Sequence, residues 1–86
     1  VGGKEIMPLS QMQVGQRATI CRVGNLKSSE DWIKKLLAMG FLEGSSVELL
    51  YESARKKQDA LMAVRVRGGL VALRRSEAQS IEVELL

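Results

Sequence analysis

Leu36-Leu37-Ala38-Met39-Gly40-Phe41-Leu42-Glu43-Gly44-Ser45-Ser46-Val47-Glu48-Leu49-Leu50 decides the fold of this chain, because within it a helix stops, the backbone turns twice and a strand begins. Gly40 stands where a helix end calls for positive φ, and Gly44 stands where the next tight turn calls for the same freedom. After Gly44 the apolar period changes from that of a helix to two: Val47, Leu49 and Tyr51 alternate with Glu48 and Glu52. Leu50 on the second face predicts partial cover there.

Working outward, Ser28-Ser29-Glu30-Asp31 is a helix start. A serine oxygen accepts from free backbone N–H groups, and two carboxylates complement the positive end of the helix dipole. Trp32, Ile33, Leu36 and Leu37 then recur three and four apart, which predicts a buried stripe. Upstream, Pro8 to Gly15 reads as a short helical turn closed by glycine, and Gln16 to Val23 alternates as a half-buried strand ended by Gly24-Asn25. Downstream, Met62, Val64 and Val66 alternate with Arg65 and Arg67. Gly68-Gly69 is expected to turn the chain into a strand from Leu70 to Leu73, and Ser76 to Ser80 to form a turn before Ile81, Val83 and Leu85. The count is about five strands with one helix between the first two, so the expected fold is mainly β, a small barrel that closes on itself and removes its edges. Residues 1–6 are expected to be a tail and residues 7–86 a single domain.

Composition narrows the chemistry. The chain has one cysteine, Cys21, and no histidine, so intrachain disulfides and imidazole-based catalysis are excluded by counting. No nucleophile has a base to activate it, and no enzyme is expected. The apolar runs are far shorter than the roughly 20 residues that span a bilayer, so no membrane insertion is expected and a reducing cytoplasm is the expected location. Thirteen basic residues against ten acidic ones leave a net charge of +3, which decides little alone.

The opening stretch resembles the L-x-x-M-G-[FLI]-x-x-G-x-x-[VI]-x-[LV] block of FeoA-type domains. Val66 to Val83 is similar to that family's later strand, glycine turn, Ala72-Leu73-Arg74, Glu77-Ala78 and Ile81-x-Val83 ending, and Leu9 to Gly15 fits its L-x-x-[LM]-x-x-G opening. The resemblance implies an SH3-like barrel acting beside FeoB, a membrane ferrous-iron transporter with a cytoplasmic GTPase domain. A similar domain ends the diphtheria-toxin-repressor-type metalloregulators, so a free-standing relative of that domain is an alternative. One turn departs from the family pattern: in place of a Pro-x-Gly-Asp-Pro-type turn the chain has Glu52-Ser53-Ala54-Arg55-Lys56-Lys57-Gln58-Asp59.

Carboxylates are the only plentiful ligand type, and Glu30-Asp31 and Glu82 with Glu84 are explained by a helix start and a wet strand face, so neither a metal site nor a cofactor is assigned. Cys21 reads as a small buried hydrophobe. Trp32, Arg55, Lys56, Lys57, Arg65 and Arg67 are the candidate contacts to a protein partner, the last two expected on one face of a strand. Gly40, Gly44, Leu36, Leu37, Met39, Val47 and Leu73 are framework. A nucleic-acid-binding module using the same basic residues is a rival reading, disfavoured because Trp32, Phe41 and Tyr51 are the only aromatics. Surplus apolar residues Leu50, Leu85 and Leu86 leave self-association as a further expectation.

Overall fold

Alternation of apolar and polar side chains organises most of the chain into strands, and the residues facing inward form one hydrophobic core. A computed structural model describes residues 5–25, 28–53 and 60–86. In chain order the elements are β1 (Ile6–Pro8), a short 3₁₀ turn (Leu9–Gln11), β2 (Arg17–Val23), α1 (Glu30–Ala38), β3 (Ser46–Glu52), β4 (Leu61–Val66), β5 (Gly69–Arg74), α2 (Arg75–Ala78) and β6 (Ile81–Leu85). The strands form a single sheet in the order β1-β6-β2-β3-β4-β5, with every neighbouring pair antiparallel.

The sheet has six strands, where alternation predicted about five, because Ile6–Pro8 pairs with β6 through Ile6–Glu84, Met7–Val83 and Pro8–Glu82. So short a segment carries no readable alternation. The expected closure does not occur either: β1 and β5 are the two edges. Among the described residues no hydrogen-bonded seam joins those two edges.

The opening motif behaves as its glycines require. Ser29 caps α1, its hydroxyl accepting from Trp32 N–H at 3.1 Å. At the other end Gly40 has φ of +104°, its N–H bonds to Leu37 O at 3.0 Å, and Phe41 N–H bonds to Leu36 O at 3.1 Å. This is a Schellman closure, with Leu36 and Phe41 as its apolar pair in the core. Gly44, at φ +87°, completes the next turn, which Ile20 ties to β2 by Gly44 N–H to Ile20 O and Ile20 N–H to Ser45 O, both 2.8 Å.

Four local expectations are corrected. Leu37 is 42% exposed, while Leu36 is fully buried and Trp32 and Ile33 are half-buried at the flanks. The hairpin between β4 and β5 turns on Arg67-Gly68, not Gly68-Gly69, since Val66 pairs with Gly69. Arg67 therefore lies in the turn and not on the strand. The segment expected as a plain turn holds α2, whose Glu77 carboxylate accepts from Arg74 N–H at 2.8 Å. The fourth is a bulge in β3: Leu49 faces Val64 and Tyr51 faces Ala63, so Leu50 is the extra residue. It reverses the phase, leaving Tyr51 exposed and placing Glu52 opposite buried Met62.

Candidate functional site

Register across the middle of the sheet brings three charged residues into one row. Arg17 on β2 lies opposite Glu48 on β3, and Glu48 lies opposite Arg65 on β4. All three belong to the outer face, because their inward neighbours Ala18, Val47, Val64 and Val66 fill the core. The Glu48 carboxylate is shared: its Oε1 stands 3.8 Å from Arg17 Nε and 3.9 Å from Arg65 Nη1.

Beside this row runs an open groove lined by Arg17, Ser45, Ser46, Glu48, Arg65, Arg67 and Gly68, among others. Arg67 reaches it from the hairpin turn, where its φ is +51°. The Arg67 stem passes over Gly40; a Cβ placed on Gly40 would lie 3.5 Å from Arg67 Cδ and 3.9 Å from Arg67 Cβ. Those are ordinary van der Waals separations, so it is the positive φ and not the space beside Arg67 that calls for glycine at position 40. Two guanidinium groups flank the one carboxylate and Arg67 adds a third to the groove's lining, so N–H donors outnumber that acceptor in a fork geometry suited to carboxylates.

Of the residues the sequence singled out, Arg65 and Arg67 meet here. Arg55, Lys56 and Lys57 lie outside the described residues. Trp32 belongs to another region: its indole N–H donates to Ser80 Oγ at 2.9 Å, and that hydroxyl donates to Glu77 O at 2.9 Å, fastening α1 to the α2–β6 junction. Arg17 and Glu48 were not singled out. Both stand at polar positions of alternating strands, but only strand register reveals that they are neighbours.

Cys21 is half-buried and not a core residue, because it follows inward-facing Ile20 and is the extra residue of a bulge between Ile20 and Arg22. Desolvation, with the negative charges of Glu84, Glu82 and Glu43, pushes its thiol above the ordinary value near 9.0. Such a thiol is a poor nucleophile near neutral pH. Among the described residues no group of three or more His, Cys, Asp or Glu side chains is placed to hold a metal ion. Nor is any helix there long and apolar enough to cross a membrane.

The sequence pattern of the FeoA domain matches residues 7–85, nearly the full length. The chain belongs to the FeoA domain family. That family is linked to ferrous iron transport, and the match indicates no enzyme family. Among solved structures, this FeoA domain is similar to zinc-complexed FeoA of Stenotrophomonas maltophilia, an SH3 domain protein, with TM-score 0.74, 26% identity and coverage of 90% of this chain and 88% of that one. It is also similar to the FeoA protein of Chlorobium tepidum, with TM-score 0.78, 26% identity and coverage of 93% and 70% respectively. A manganese-dependent transcriptional repressor shares the fold at TM-score 0.79 and 20% identity, the present chain spanning 45% of its length. The architecture is SH3-like, with the sheet left open. No curated protein sequence matches the chain.

Proposed function

We propose that this FeoA domain is a non-enzymatic cytoplasmic adaptor that binds the cytoplasmic region of a FeoB-type ferrous-iron transporter and tunes its GTPase or transport cycle. The observation that carries the reading is the family match across residues 7–85, which covers the sheet from Met7 onward. The open groove with Arg17, Arg65 and Arg67 supports protein contact, since it presents positive charge and N–H donors at the surface. On this reading Arg65 and Arg67 are contact residues and Trp32 serves mainly to hold α1 in place.

The test is capture of the transporter's cytoplasmic region by the full chain in both nucleotide states, with iron uptake measured in a strain lacking the chain. Binding in at least one state together with impaired uptake is expected. Absence of binding in both states, with normal uptake, overturns the proposal.

A further inference from the structure

We infer that the groove beside β3 is a receptor for an acidic polypeptide segment, and that Glu48 is its built-in competitor, holding the arginines in place while opposing entry of a second carboxylate. The inference deepens the adaptor reading by naming the partner's chemistry at the contact surface, and as a statement about the transporter it rests on that reading.

Three observations converge. First, Glu48 sits between Arg17 and Arg65 at 3.8 and 3.9 Å, beyond direct hydrogen-bond distance, so both guanidinium groups are steered but not saturated. The arginine side chains are 70% and 58% exposed, against 24% for Glu48. The carboxylate is therefore the anchored member, and the donors are the accessible ones.

Second, Arg67 occupies the first position of a two-residue hairpin turn in the left-handed region, where asparagine or glycine is the favoured residue. An arginine there is conformationally disfavoured, and its stem lies alongside Gly40. Disfavoured backbone that ends in a charged group facing a groove fits a contact role.

Third, the mix of groups selects among anions. A carboxylate held between Arg17 and Arg65 repels a continuous phosphate backbone, whereas carboxylates spaced along an extended peptide can pass on either side of it. The occupant is thus an acidic protein segment, and nucleic acid is the competing outcome.

The experiment uses the intact chain and a fluorescein-labelled peptide of alternating glutamate and alanine, read by anisotropy at low and moderate salt. A neutral peptide with glutamine in place of glutamate and a short DNA duplex serve as controls. Arg17→Gln, Arg65→Gln and Arg67→Gln are each expected to weaken peptide binding about fivefold, the worth of one exposed charge contact. Glu48→Gln is expected to tighten it about threefold, since removal of the competitor outweighs looser arginine positioning. Because these side chains lie outside the core, matching melting curves will verify that the variants fold.

Weaker or unchanged peptide binding in Glu48→Gln overturns the competitor role. Equal binding of the neutral peptide, or stronger binding of the duplex, overturns the acidic-segment assignment. The transporter's cytoplasmic region is then titrated against the same variants. If it binds and the arginine variants bind it equally well, the groove assignment fails while the adaptor reading stands. If the peptide behaves as described but the transporter region does not bind, the groove assignment stands and the adaptor reading falls.

Discussion

Leu36 and Leu37 show what a single position in a short helix decides. Each residue advances roughly 100° around the axis, so Trp32, Ile33 and Leu36 span an arc centred near Leu36, and Leu37 falls at its margin. Leu36→Ala is expected to destabilise the fold by about 2 to 5 kcal/mol, because the side chain is fully buried beside Phe41. Leu37→Ala, at an exposed position, should change stability by no more than about 0.5 kcal/mol. Chemical denaturation of both variants checks the pair, and comparable losses would contradict this placement. The apolar stripe was legible in the sequence; its centre was not, since both leucines satisfy the same spacing. Arg67 offers a second test at this scale. Arg67→Asn fits the left-handed turn position better and should raise stability by about 0.5 kcal/mol, measured as a higher denaturation midpoint.

Strands raise a different matter, because a bulge depends on the partner strand and leaves no mark in the alternation itself. Val47 and Leu49 were legible as inward residues, and both are buried. Beyond the extra residue Leu50, the pattern reverses and carries Glu52 to the inner side of β3, opposite Met62. A carboxylate there needs a partner, and Arg75 at the start of α2 supplies it as an ion pair with limited solvent access. The same feature explains why Tyr51, apolar and in phase with Leu49 by sequence, stands 58% exposed. A double-mutant cycle with Glu52→Gln and Arg75→Gln should give a coupling energy of about 1 kcal/mol, reduced from that of a fully buried pair by partial exposure. Additive effects would show that the pair does not fasten α2 to β3. The Arg67-Gly68 turn belongs to this scale too: consecutive glycines mark a hairpin, but the pairing of Val66 with Gly69 decides which two residues turn.

For the molecule as a whole, the family blocks made the SH3-like architecture readable, because turn residues and apolar periods recur in a fixed order. The arginine groove was only half readable. Arg65 and Arg67 lie close in sequence, whereas Arg17 joins them across two strand pairings and the carboxylate between them comes from a third strand. A net charge of +3 is too small to steer a partner evenly from all sides, but three arginines on one groove concentrate the field there. Added salt should therefore slow association with an acidic partner while changing dissociation little. Between about 0.01 M and about 0.15 M ionic strength the screening length contracts from about 30 Å to about 8 Å, so long-range attraction is largely lost while contacts within the groove persist. Stopped-flow binding of the transporter's cytoplasmic region over that range should show an association rate that falls several-fold. Glu48→Gln should associate faster than the unaltered chain and depend more steeply on salt, because its groove carries one more uncompensated positive charge. An association rate insensitive to salt in both proteins would mean that the partner docks through apolar contacts, such as those offered by exposed Tyr51, and not through the arginines.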